Sequence, residues 1–115
     1  MSKGNQGRTN GRPFAVHSDR TNGQENVRLT GEMDLSVIGS VDREMQRAEG
    51  TDAARIVLDL EELDFLDAAG IRLLLNLSDR SRHDGGRLRI RRARAPQVRR
   101  VIELTGVGER LPLLD

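Results

Sequence analysis

Residues 55–75 read RIVLDLEELDFLDAAGIRLLL, and this stretch decides the fold. Its first six residues carry Ile56, Val57, Leu58 and Leu60, with one acid between them. A short run that is apolar on both alternating faces is a strand buried on both sides, which implies a parallel or mixed sheet covered by helices. Glu61, Glu62, Asp64 and Asp67 follow as an acidic cluster, read as a solvated loop leading to a helix. Asp67 is an apt N-cap. Ile71, Leu74, Leu75 and Ser78 then share one helical face, which Leu73 and Leu77 widen. Gly85-Gly86 supplies the stop.

The same alternation of elements extends in both directions. Upstream, DLSVIGSVDREMQRAEG places Val37, Val41, Met45 and Ala48 on one helical face, with Ser36 as its expected cap and Gly50 as its end. Before it, FAVHS and ENVRLTG read as two strands joined at Asn22-Gly23, a pair that tolerates the positive φ of a tight hairpin turn. The tetrapeptide RTNG occurs at residues 8–11 and 20–23, but no wider self-similarity accompanies it, so the repeat is taken as chance. Residues 1–13 lack apolar periodicity and are expected to form a disordered tail, leaving one domain over 14–115.

Downstream, RLRIR alternates strictly, with Leu88 and Ile90 on one face and Arg87, Arg89 and Arg91 on the other. Pro96 suits a first helical position, Val98, Val101 and Ile102 form an apolar face, and Gly106 closes the helix. The final ERLPLLD is expected to pack its leucines on the sheet. The order strand, strand, helix, strand, helix, strand, helix predicts an α/β sandwich with a mixed sheet of four to five strands and helices mainly on one face.

Composition narrows the chemistry. A chain of 115 residues holds one modest core, and with only two phenylalanines that core is aliphatic. There is no cysteine, and His17 and His83 show no ligand spacing, so no metal site and no cofactor is expected. The acidic cluster lacks the regular spacing of a calcium loop. No Ser-His-Asp set and no phosphate-binding glycine motif is present, so enzymatic activity is not expected. No long apolar segment and no leader-like N-terminus is found, which predicts a cytoplasmic protein without a membrane span.

The start of the second helix then needs a purpose. Helix N-termini carry unpaired N–H groups and partial positive charge, and Ala68, Ala69 and Gly70 would let another surface approach closely. On physics alone, a good cap with tight packing is the favoured explanation of DAAG. Three segments in order add to this: GEMDLS at residues 31–36, the 55–75 stretch, and GGRLRI with RVIELTGVGERLPLLD. Together they resemble the STAS domain, the domain of anti-sigma-factor antagonists, also found at the C-termini of sulfate transporters; the likeness covers residues 14–115.

That resemblance implies a partner-switching module. In the family, an unmodified antagonist binds an anti-sigma factor that is also a serine kinase and so releases a sigma factor. The kinase phosphorylates a Ser or Thr directly after the motif's aspartate, adding about −1.5 to −2 charges at the contact, and a phosphatase restores binding. Here the corresponding residue is Ala68, followed by Ala69, and neither carries a hydroxyl. The expected contact is Asp67, Ala68, Ala69 and Gly70, with Asp34 and Asp64 as rim residues; Asp34 serves equally well as a helix cap. Leu66 and Ile71 are expected in the core.

Two other readings stand beside this one. Arg87, Arg89, Arg91, Arg92, Arg94, Arg99 and Arg100 form a basic stretch that could meet nucleic-acid phosphates, though it lacks stacking aromatics and a helix-turn-helix. Stand-alone domains of this type also serve as scaffold subunits of signalling or lipid-transport assemblies.

Overall fold

A computed structural model describes residues 12–114. Most of the expected tail, and the first RTNG copy with it, therefore lies outside the described residues. Arg12 and Pro13 are described, and Arg12 pairs with Glu62 at 3.1 Å.

Strands β1 (Ala15–Thr21) and β2 (Gln24–Met33) form a hairpin, closed by Asn22 and Gly23 at φ 53° and 76°. Helix α1 (Ile38–Glu49), strand β3 (Arg55–Leu66), helix α2 (Ala68–Arg82), strand β4 (Leu88–Arg91) and helix α3 (Pro96–Thr105) follow, with short 3-10 turns at Leu35–Val37 and Val107–Arg110. The four strands lie in the order β1-β2-β3-β4. β1 is antiparallel to β2, while β2, β3 and β4 are parallel. The predicted mixed α/β sheet is thus four-stranded.

One core joins the elements. Val27, Leu29, Leu58 and Ile90 from the sheet meet Val41 and Met45 of α1, Leu74 and Leu77 of α2, and Val98 of α3. Leu113, as expected of the C-terminal leucines, forms an isolated bridge to Ile90 at the outer side of β4. Glu25 is buried on the same face, but Arg47 reaches its carboxylate at 2.8 Å and Arg20 at 3.7 Å. A buried carboxylate without such partners would be strongly destabilising.

The second half of β3 corrects the sequence reading. Glu61, Glu62 and Asp64 are strand residues, not loop residues. As β2 advances from Arg28 to Thr30, β3 advances from Asp59 to Glu62; as β2 advances from Gly31 to Glu32, β3 advances from Leu63 to Phe65. Each step inserts one extra residue into β3, the signature of a β-bulge. Leu60, Leu63 and Leu66 consequently face the core at a spacing of three, which fits neither strand nor helix periodicity.

Two further expectations change. Ser36 does not cap α1. Asp34 accepts from the Ser36 amide at 3.0 Å and from its hydroxyl at 2.6 Å, capping the 3-10 turn, and α1 starts at Ile38 without a side-chain cap. Arg87 does not lie on an open strand face. It precedes β4 and donates to the carbonyls of Glu49, Thr51 and Ala53 at 2.7–3.0 Å.

Candidate functional site

The turn from β3 into α2 sits at the C-terminal ends of two parallel strands. Met33 pairs with Leu66, and the Asp67 amide donates to the Met33 carbonyl at 3.4 Å. This link sets the start of α2 beside the end of β2, one residue before Asp34. Both bulges lie upstream on β3, so they fix where the turn emerges.

Asp67 caps α2 as expected. Its Oδ1 accepts from the Gly70 amide at 3.1 Å, and its carbonyl accepts from Ile71 at 3.0 Å. Ala68 is exposed and Ala69 is half-buried, so two small side chains stand at the surface of the first turn. Gly70 is different. It is buried, and a Cβ placed on it would lie 2.2 Å from Leu66 Cδ1 and 3.3 Å from Met33 Cε. Its bareness serves helix–sheet packing, and only its backbone belongs to the site. Leu66 and Ile71 are buried, as expected.

The two rim candidates differ. Asp34 is half-buried beside the site and holds the 3-10 turn through Ser36. Asp64 lies on the bulged strand, where Arg12 binds its carboxylate at 3.3 Å and Gln97 donates to its carbonyl at 2.8 Å. The Arg12 guanidinium, bonded to Asp64 first and Glu62 second, is held more firmly protonated than an ordinary arginine. Asp64 is therefore an engaged carboxylate.

Two apolar side chains flank this turn that the sequence reading passed over. Leu35 is 73% exposed and Phe65 is 40% exposed. Leu35 could have been noticed, because it falls off the face defined by Val37, Val41, Met45 and Ala48. Phe65 gives no such signal, because its outward orientation depends on the bulge at Asp64.

A family model described as "Mlab, STAS domain" matches residues 16–115. The chain belongs to the STAS domain family. Among curated relatives, this STAS domain is 29% identical over 90 residues to an anti-sigma F factor antagonist of Paenibacillus polymyxa, covering 77% of this chain and 76% of that protein. Among solved structures, an anti-sigma factor antagonist from Mycobacterium paratuberculosis superposes with a TM-score of 0.77 at 24% identity, over 88% of this chain and 85% of that one. The anti-sigma factor antagonist SpoIIAA in its unphosphorylated form gives 0.70 at 25% identity, over 88% and 87%.

In this STAS domain the basic stretch is largely engaged from within. Arg91 meets Asp59 at 3.4 Å, Arg94 meets Glu61 at 3.3 Å, and Arg92 donates to the Leu114 carbonyl at 2.9 Å. Arg89 donates to the carbonyls of Gly86 and Leu88. Among the described residues, no group of acids and histidines is arranged to hold a metal, and no helix is long and apolar enough to cross a membrane.

Proposed function

We propose that this STAS domain is an anti-sigma factor antagonist that docks on a serine-kinase-type anti-sigma factor through the first turn of α2. It releases a sigma factor by that contact and, lacking a hydroxyl at residue 68, is not switched off by phosphorylation there. The observation that carries the reading is the exposed Ala68 methyl at the first position of a capped helix, beside the half-buried Ala69. Relatives described as anti-sigma factor antagonists support it. Asp67 fixes the turn, Gly70 seats it on Leu66, and Leu35 and Phe65 supply apolar area at the margin. Asp34 shapes the neighbouring 3-10 turn and stands as the acidic rim.

Position 68 decides the test. A negative charge there is tolerated by the helix, whose N-terminus favours acids, but not by a closely fitted partner surface. Tagged protein and its Ala68→Glu variant, both verified as folded by circular dichroism, are used to capture partners from nuclease-treated lysate of the native host. Mass spectrometry should identify an ATPase-type anti-sigma kinase with the parent chain and not with the variant. Equal capture by both forms would move the contact off α2, and stable recovery of a transporter ATPase instead would replace the antagonist reading with a scaffold subunit. Phosphate found at a defined residue of this chain, with matching loss of binding, would overturn the unswitched reading.

A further inference from the structure

The two edges of the sheet are treated differently. At β4 the C-terminal segment closes the ladder: the Ile90 amide donates to the Pro112 carbonyl at 2.9 Å, and the Leu114 amide donates to the Ile90 carbonyl at 2.8 Å. β1 ends the strand order on the other side, and among the described residues no strand pairs with its outer edge. Natural edges are usually blunted by charged side chains, lysine above all, by a proline, a bulge or a covering segment. Over its seven residues β1 has neither proline nor lysine, its two charges, Asp19 and Arg20, are of opposite sign and held from within by Asn26 and Asp52 respectively, and its register with β2 runs unbroken from Ala15 to Thr21.

The hairpin fixes which backbone groups are free. Thr21 faces Gln24 across a two-residue turn, so this pair exchanges both ladder bonds. Alternation then directs the backbone groups of Asp19, His17 and Ala15 towards β2 as well. Val16, Ser18 and Arg20 present their N–H and C=O groups outwards.

We propose that β1 is a homodimerisation edge, on which two copies pair antiparallel about a two-fold axis at Ser18. In that register Ser18 faces Ser18 of the partner subunit, and Val16 faces Arg20 of the partner subunit, so every outward donor and acceptor of the three residues is used. His17 stands opposite Asp19 of the partner subunit, and by symmetry this complementary pair occurs twice. These pairs fall at positions without ladder bonds, where facing side chains approach most closely. Centring the axis on His17 would oppose two histidines, and centring it on Asp19 would oppose two aspartates. An imidazole N–H donor set opposite a carboxylate, twice over, with like pairs in the other registers, therefore selects both the occupant, a second copy, and the register. Helix α1 packs chiefly on β2 rather than β1, which leaves about three strand spacings, or roughly 14 Å, between the two copies of α1. The start of α2 lies at the strand ends and stays accessible.

Sedimentation equilibrium of the full chain, at concentrations up to about 1 mM, the weak end of specific association, should show a monomer–dimer equilibrium. Ser18→Pro removes the outward donor while leaving the bonds to β2 intact, and should give monomer with an unchanged far-ultraviolet spectrum. Ser18→Ala keeps that donor and should dimerise like the parent. His17→Asp should shift the equilibrium at least tenfold towards monomer, and adding Asp19→His should restore it. A parent chain that is monomeric throughout overturns the proposal. So does a dimer that survives Ser18→Pro, or a loss with His17→Asp that the swapped pair fails to rescue.

Discussion

Gly70→Ala separates packing from docking at the start of α2. A Cβ at residue 70 would stand 2.2 Å from Leu66 Cδ1, more than 1 Å inside contact distance, and 3.3 Å from Met33 Cε. Leu66 and Met33 are 2% and 0% exposed, so neither has open space to retreat into. Overpacking of this kind costs about 1–3 kcal/mol, and the depth of the overlap puts this site near 3. Alanine recovers about 1 kcal/mol of helix propensity. The net loss is about 2 kcal/mol, or roughly 8 °C in Tm for a domain of this size. Leu66→Ala alone should cost about 2–5 kcal/mol through its cavity. In that background the residue 70 methyl fills vacated space, so Gly70→Ala should become neutral or stabilising by about 1 kcal/mol, a coupling of up to about 3 kcal/mol. Urea unfolding of the parent, both single variants and the double variant measures the cycle. Purely additive losses, or a Gly70→Ala protein as stable as the parent, would refute the packing argument and return Gly70 to the list of contact residues.

Three other perturbations have defined outcomes. Arg87→Ala should lower stability by about 2–3 kcal/mol in urea unfolding, because it leaves three carbonyls of the α1–β3 connection without their charged donor, whereas the exposed Arg100→Ala should change it by less than about 0.5. Asp34→Ala should cost about 1 kcal/mol by uncapping the 3-10 turn, and Ser36→Ala less, since the Ser36 amide still donates to Asp34; thermal melts of both variants give the comparison. The Ser18 hydroxyl, and then Arg47, holds the Glu44 carboxyl below its ordinary pKa of 4.5. A carboxyl depressed on folding stabilises above its unfolded pKa and loses that contribution as pH falls through the folded one. Stability measured from pH 6 downwards should therefore fall less steeply below about pH 4.5 in Ser18→Ala than in the parent.

The element order was legible because each helix keeps its period, β4 alternates and the first half of β3 is apolar on both faces, and because Asn22-Gly23, Asp67, Pro96 and Gly106 punctuate the chain with side chains or φ angles suited to single positions. The second half of β3 was not, because two inserted residues replace alternation with the Leu60, Leu63, Leu66 spacing, and local sequence does not announce an insertion that exists only relative to β2. Ser36 and Asp34 are both good capping residues, and which of them caps depends on where the chain leaves the sheet. Arg87 read as one of three alternating arginines because the three carbonyls it holds lie more than thirty residues away in sequence. At the candidate site, Asp67 and Ala68 could be placed from sequence. Gly70 required coordinates, since small residues at a helix start are equally consistent with a visiting surface and with a leucine lying underneath.

The paired bulges give β3 two residues of slack in its length. From Arg28 to Met33, β2 advances five residues, while from Asp59 to Leu66 its partner advances seven. Deleting Asp64 alone would erase the second bulge and leave Leu63 opposite Gly31, Phe65 opposite Glu32 and Leu66 opposite Met33, with Leu66 still in the core. Deleting one inserted residue from each bulge would restore plain alternation with Leu66 still facing Met33. Shortening at the inserted positions should therefore be accepted singly or together, whereas removing a third residue would leave β3 one short of its partner and turn Leu66 away from the core.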